Sequence, residues 1–474
     1  MNRIPRGNSF ARVAKFLNPV FIAVLAEFTI FIALAAAGEA QTVTTLYNLN
    51  AGTGSNPVAN LIQGRDGNLW GTARFGGENA MGTVFKVSTG GRLTVVHSFA
   101  GSDGAYPEAG LLLGVDGNFY GTTANGGSAN FGVVFKMTPA GDVTVLHAFT
   151  GTPDGGIPYS SPILASDGNL YGVTDSGGST NNNAGVVYRI PPSGKYTVIY
   201  NYSLPVGSGE DFSPLQGSDG YLYISSVTEG ANNCGSIVKM STQGIVADAY
   251  DFDCGADGAN PYGSLIQSSN GKFYGVTANS AVSMEGVLLE LDSSLNLSPL
   301  FTFGSDTTLV GPNSGPYQAT DGNLYGVAFK GGAFGYGGIY QYTLSGAFST
   351  VFSWNRQAEP TTGFMQHTNG KMYSATYVAG RYNLGTVYAL DMGLGPFIAL
   401  VRYTGRIGQS AQILGQGFTG TTSVTFNGSS AMSFKVWSDT YMTAVVPSGA
   451  TTGPVVVTTP SGTLTSNKSF RVIP

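Results

Sequence analysis

Charged side chains are scarce in this chain. Only 10% of its 474 residues are Asp, Glu, Lys or Arg, while 42% are hydrophobic. That balance excludes a disordered polyelectrolyte and leaves enough apolar surface to bury a core. There are three histidines and two cysteines. No histidine has a Ser, Cys or Glu partner at motif spacing, and two lone cysteines lack companion ligands, so triad and zinc chemistry find little support. No Gly-x-Gly-x-x-Gly joins a strand to a helix, which excludes a dinucleotide fold. No segment after Ala37 is apolar enough to span a membrane. The repeated region shows no sustained 3.6-residue apolar period, so helices should be scarce.

Glycine is abundant, at 70 residues, and much of it recurs at fixed spacing. Asp66-Gly67-Asn68 returns as Asp116-Gly117-Asn118, Asp167-Gly168-Asn169 and Asp321-Gly322-Asn323. Degenerate copies stand at Asp219-Gly220, Asn270-Gly271 and Asn369-Gly370, so the successive spacings are 50, 51, 52, 51, 51 and 48 residues. This period suits a four-stranded propeller blade. In the second unit strand A is expected at Gly110–Val115, B at Phe119–Thr123, C at Val133–Met137 and D at Val143–Phe149. Asp-Gly and Gly-Asn turns between short apolar runs favour hairpins, because such turns need residues with φ > 0.

Segment D occurs once too often at the front, as Thr42–Leu49, and is missing after the seventh unit, which ends at Thr386–Asp391. The arithmetic closes if the first D completes the last sheet, which removes a free edge. The fold class predicted is all-β: a seven-bladed β-propeller over 41–393, closed by an N-terminal strand, with a small immunoglobulin-like β-sandwich over 396–474. An open β-solenoid is the rival architecture and would not need the offset.

At the N-terminus, Arg3, Arg6, Arg12 and Lys15 precede an apolar run from Phe16 to Ala37, followed by Gly38-Glu39-Ala40. This is the layout of a secretory signal peptide over 1–40, with an uncleaved membrane anchor as the alternative. The expected location is secreted or cell-surface, alternatively periplasmic. Cys234 and Cys254 each lie ten residues from Gly244. In a hairpin centred there they face one another, and an exported protein would join them in a disulfide.

Beyond Gly395 the period stops. Gly408–Phe418 (GQSAQILGQGF), Val424–Gly428 (VTFNG), Met442–Pro447 (MTAVVP) and Gly453–Gly462 (GPVVVTTPSG), ending in Phe470, resemble the IPT/TIG family of immunoglobulin-like domains. That resemblance implies a spacer or interaction module. The repeat itself resembles the GloVer tandem repeat of exported choice-of-anchor proteins, through Asn118–Thr123 (NFYGTT), Gly126-Gly127 and Gly132–Lys136 (GVVFK) and their counterparts at Asn68–Thr72, Gly76-Gly77 and Gly82–Lys86. Units 4, 5 and 7 depart from it: Ile224 and Ser374 replace the glycine after the aromatic, and Val238 and Leu289 replace the phenylalanine. The resemblance implies a secreted or surface location and no established chemistry.

The periodic residues read as structural. Trp70, Tyr120, Tyr171, Tyr223, Tyr274, Tyr325 and Tyr373 recur in strand B, where a stacking platform for sugars is less expected than packing between blades. Gly82, Gly132, Gly185, Gly235, Gly286, Gly337 and Gly385 start strand C, where a turn needs φ > 0. The Asp-Gly-Asn turns lack the acids of an EF-hand. Charge is less evenly spread. The face formed by the B–C and D–A loops carries 13 acids and four bases (Arg74, Lys330, Arg356, Arg381), out of 24 acids and 13 bases in the propeller. The C-terminal segment has five bases and one acid.

The binding residues predicted from this asymmetry are Asp103, Glu108, Asp154, Glu210, Asp211, Asp257 and Asp306. An acidic face repels phosphates and argues against nucleic acid. A glycan or protein partner fits it better. No cofactor or metal site is predicted, although the acidic loops could hold Ca²⁺. No catalytic residue is assigned, and a monomer is expected. The leading expectation is an exported, non-enzymatic binding protein. The alternative is a carbohydrate-active hydrolase or lyase with two carboxylates about 5–10 Å apart at the channel mouth.

Overall fold

Each repeat unit supplies one antiparallel sheet. In the second unit the hydrogen-bonded order is Leu112–Leu113, Phe119–Thr123, Val133–Met137 and Val143–Ala148, the A-B-C-D order of the chain. The structure is a computed structural model and describes residues 41–179, 183–202, 213–279, 285–304 and 309–473. The signal or anchor expected over 1–40 lies outside these residues, as do Glu210, Asp211 and Asp306. Among the described residues every regular element is a strand, and no helix is long and apolar enough to cross a membrane.

Strands B and C fall where the turn signals put them, and strand A is shorter than expected. It bonds on one side only, and in unit 2 Gly114 already belongs to the turn, donating to Asn118 O at 2.8 Å. The seven glycines that open strand C all have φ between +80 and +100°. A side chain there is excluded twice over. At Gly82, for example, a Cβ would strike Pro107 of the next unit and the backbone of Ala73.

The first strand, Thr42–Asn48, pairs antiparallel with Thr386–Asp391, Thr42 facing Asp391 and Asn48 facing Thr386. It completes the sheet that continues through Met372–Thr376 to Met365–Gln366. The two ends of the repeat region therefore share one sheet. An open solenoid has no such pairing.

A second closure runs along strand A. The side-chain oxygen of Gln216 accepts from Ser166 N of the preceding unit, Gln267 from Ser218 N, Gln318 from Ser269 N and Gln366 from Thr320 N, at 2.7–3.0 Å. The series continues across the seam, where Gln63 of the first unit accepts from Thr368 N of the seventh at 3.0 Å and donates to Thr368 Oγ1 at 2.9 Å. These links put the A strands at a common hub and the half-exposed D strands at the rim. Apolar residues fill the space between neighbouring sheets, as where Trp70 stacks on Phe119 of the next unit at 4.1 Å.

Residues 399–472 build two further four-stranded sheets and a parallel pair, Thr404–Gly405 with Arg471–Val472. Ile413, Phe418, Val424, Met442, Val457 and Phe470 lie in their common core. This segment sits against the A–B turns of the repeats. Thr440 Oγ1 donates to Arg65 O at 2.8 Å, Gln416 Nε2 to Thr368 Oγ1 at 2.9 Å, and the guanidinium groups of Arg402 and Arg471 to Ser166 O and Ser218 O. Arg65 also lies over the Tyr441 ring at 4.4 Å. Contacts on units 1, 3, 4 and 7 leave the opposite loop face as the one away from this segment. Two of the segment's five bases are thus occupied in docking.

Candidate functional site on the loop face

The Asp-Gly-Asn motif acts on the turn face, as a hinge between three strands. Asp116 caps its own turn, accepting from Asn118 N at 3.1 Å and Asn118 Nδ2 at 2.7 Å. It also accepts from the Tyr120 hydroxyl at 2.9 Å and pairs with Lys136 of strand C at 2.9 Å. Burial opposes its ionisation, but the donors from Lys136, Asn118 and Tyr120 prevail and bring its pKa down to about 2. Tyr171, Tyr223 and Tyr325 repeat the aromatic-to-Asp bond at 2.7–2.8 Å, and the Trp70 indole donates to Asp66 at 3.0 Å. In the degenerate copies the direction reverses: Asn270 and Asn369 donate to Tyr274 and Tyr373. Six of the seven strand B aromatics are buried, so packing accounts for the series.

On the loop face the predicted acids hold loops to strands. Asp103 accepts from Ala100 N at 2.8 Å and bonds His97 Nε2 at 2.7 Å. Asp154 repeats this with Thr150 N at 3.0 Å and His147 Nε2 at 2.8 Å. Asp257 does so with Asp253 N at 3.1 Å and the Tyr250 hydroxyl at 2.9 Å. In these three D–A loops one carboxylate thus folds the loop back onto the D strand, and imidazole or phenol serves equally as the partner. Burial raises the Asp257 pKa, and Asp253 beside it adds to the shift. Glu108, itself buried, pairs with Arg74 at 3.1 Å.

Sequence spacing gave no indication of the His–Asp pairs, because six or seven residues of loop separate their members. Among the described residues no hydroxyl bonds either imidazole as a triad nucleophile would: Thr150 Oγ1 bonds the Asp154 carboxylate at 2.6 Å and the Tyr196 hydroxyl donates to Asp154 O at 2.6 Å. The His147 ring stacks on Tyr196 at 3.7 Å, and burial lowers its pKa against the pull of Asp154. His367 is on the turn face, where its Nδ1 accepts from Asn369 N and its Nε2 donates to Gly67 O across the seam. Burial lowers its pKa as well, in keeping with that neutral tautomer.

The hub is lined differently. The residues three places before Gln63, Leu113, Leu164, Gln216, Gln267, Gln318 and Gln366 are Asn60, Gly110, Ser161, Ser213, Ser264, Gly315 and Gly363. They meet across units: Gly363 N donates to Asn60 Oδ1 at 2.6 Å and Ser161 N to Ser213 Oγ at 3.1 Å. A Cβ on Gly315 would overlap Ser264 O. This ring contains no ionisable side chain. Cys234 and Cys254 are joined in a disulfide just beyond the ladder in which Ser236 faces Asp251, with Cα atoms 5.5 Å apart. Among the described residues no three His, Cys, Asp or Glu side chains are grouped to hold a metal ion.

The Gloeobacter/Verrucomicrobia repeat model matches residues 29–212 and 159–388 of the sequence. No curated protein matches it. Among solved structures, the periplasmic gluconolactonase of Pseudomonas aeruginosa aligns at 14% identity over 69% of this chain and 96% of that one, with a TM-score of 0.43. A gluconolactonase of Xanthomonas campestris aligns at 14% identity over 67% and 92%, with a TM-score of 0.39. Similarity this low carries no argument about the chemistry of the chain.

Proposed function

Since the chain belongs to the Gloeobacter/Verrucomicrobia repeat family, we propose that it is an exported, non-enzymatic binding protein. In this reading it is a seven-bladed propeller over 41–393, whose loop face meets a glycan or protein partner. Residues 396–474 form an immunoglobulin-like domain of the IPT/TIG kind that buttresses the opposite face. The segment 1–40 directs export, and the disulfide suits an oxidising compartment.

The observation that supports the binding reading is the loop face, where Asp103, Asp154 and Asp257 each tie a D–A loop to its D strand. The described acids we assign to the binding face, Asp103, Glu108, Asp154 and Asp257, already bond neighbouring groups. They would act by shaping rigid loops and setting a negative field, in keeping with binding residues borne on loops over a fixed scaffold. Glu210, Asp211 and Asp306 complete the proposed set.

The test is binding of the full chain to glycan and protein arrays, repeated with Asp103, Asp154 and Asp257 changed to Asn. Binding that falls in the triple variant supports the reading. Unchanged binding removes those loops from it, and turnover of an array glycan would replace it with the hydrolase alternative.

A further inference from the structure

The loop face is not uniformly acidic. We infer that its sixth and seventh units carry a site for an anionic polysaccharide, a chain of uronate-type sugars. This inference rests on the reading of the loop face as the binding face.

The end of strand D at Ser353 and the connection Trp354–Pro360 tie two B–C loops into one surface. Ala333 N donates to Ser353 Oγ at 3.1 Å and Trp354 N to Gly337 O at 3.1 Å on the sixth unit. Tyr377 N donates to Glu359 O at 3.0 Å and Val378 N to Ala358 O at 3.3 Å on the seventh. Over this surface Phe334 is 59% exposed, Tyr336 45% and Tyr382 50%. These are three of the four large aromatics that the repeat region exposes among the described residues; the fourth, Phe131, is at 37%.

The difference from Phe131 has a structural cause. Phe131 lies over Gly151 and Gly156 of the next connection, whereas Trp354–Pro360 contains no glycine to receive Tyr336. The loop bearing Phe334 and Tyr336 is pinned, not slack. Gly337 N donates to Gly331 O at 2.8 Å and Gly335 N to Gly332 O at 3.2 Å, and Gly331 bridges Tyr336. Both rings are therefore presented to solvent by a fixed backbone, although exposed apolar surface costs free energy.

The charge is local as well. Three of the four bases of the loop face, Lys330, Arg356 and Arg381, stand here and are exposed. The fourth, Arg74, is paired with Glu108. The acid within the connection, Glu359, accepts from Gln357 at 2.6 Å. Lys330 lies over the Phe329 ring at 4.9 Å and Arg381 over Tyr382 at 5.5 Å. Ring faces next to guanidinium and ammonium groups suit a ligand that alternates C–H-rich sugar faces with carboxylates. The acidic remainder of the face would repel that ligand and confine it to this arc.

The probes are an octamer of galacturonate and the neutral cellohexaose, titrated into the full chain at low salt by calorimetry. The acidic oligomer should bind about tenfold or more tightly than the neutral one. Affinity for it should fall about tenfold in Phe334→Ala/Tyr336→Ala/Tyr382→Ala and again in Lys330→Gln/Arg356→Gln/Arg381→Gln. These side chains are exposed, so both variants should melt with the parent. Equal affinity for the two oligomers, unchanged binding by either variant, or tighter binding of a single-stranded oligonucleotide would overturn the assignment. If array glycans bind through the Asp103, Asp154 and Asp257 loops instead, this site falls and the loop-face reading stands. If no glycan and no protein binds, both fall.

Discussion

Replacing Gln63 with leucine opens the ring at its hub while leaving its rim alone. The change removes the 2.9 Å bond to Thr368 Oγ1 and strips Thr368 N of its acceptor. Thr368 is fully buried and Gln63 nearly so. An unmet buried amide costs about 1–3 kcal/mol, and a lost neutral hydrogen bond about 1 kcal/mol. Gln416 still donates to Thr368 Oγ1, and leucine fits at this position, as Leu113 and Leu164 of units 2 and 3 show. The net cost should be about 2–3 kcal/mol, read as a lower urea midpoint and as roughly thirtyfold or greater loss of exchange protection at the Thr368 amide. Gln63→Glu keeps the acceptor, loses the donor and buries a carboxylate, so it should cost at least as much. Gln267→Leu, which breaks the same kind of link where it is exposed to water, should cost clearly less, about 1 kcal/mol or below. A Gln63→Leu protein within about 0.5 kcal/mol of the parent, with Thr368 still protected, would refute the hub closure.

Other parts of the scaffold can be tested in the same material. Cys234→Ser should cost about 3 kcal/mol, because the bridge closes a loop of 20 residues; a reductant should match the substitution, and insensitivity to both would contradict a structural role. Asp116→Asn should cost about 1 kcal/mol at neutral pH, since solvent screens this half-exposed pair. The folded pKa of Asp116 lies below its ordinary 3.8, so its contribution is present above that value and lost as pH falls through about 2; denaturation curves for parent and variant should converge there, and a gap that persists would refute the assignment. His367 should titrate below 6.5, and stability should decline as pH falls from 7 to 5, because the unfolded chain takes up its proton first; an NMR midpoint above 6.5 would contradict its burial as a neutral donor.

The repeat was legible because its signals are local. Asp-Gly-Asn turns, the strand B aromatic and the strand C glycine each depend on neighbouring residues, so strands B and C of unit 2 fall on the expected positions. The unmatched first D segment was also legible, since counting strands needs no geometry. The hub was not read, although its signal is periodic: Gln216, Gln267, Gln318 and Gln366 each precede a Ser or Thr by two residues. A glutamine at a strand edge has many local explanations, and only the ring brings it to the next unit. The acids were found by charge, but their partners were not. His97 and Asp103 meet only when a loop folds back, and its length carries no motif. Nor did the sequence show that the arc around Tyr336 and Arg381 differs from the rest of the face, because that contrast depends on which loops adjoin.

Repeated residues build the sheets, and binding is proposed for the variable loops. Measuring stability and array binding in parallel on two variants tests that division. Asp167→Asn replaces the nearer of the two acceptors of the buried Tyr171 hydroxyl, the other being Thr242 O, while Phe334→Ala/Tyr336→Ala/Tyr382→Ala alters only exposed loop positions. The first should lower the urea midpoint and leave affinity unchanged per folded molecule, and the second should do the reverse. Affinity lost with Asp167 and kept without the three aromatics would contradict the account.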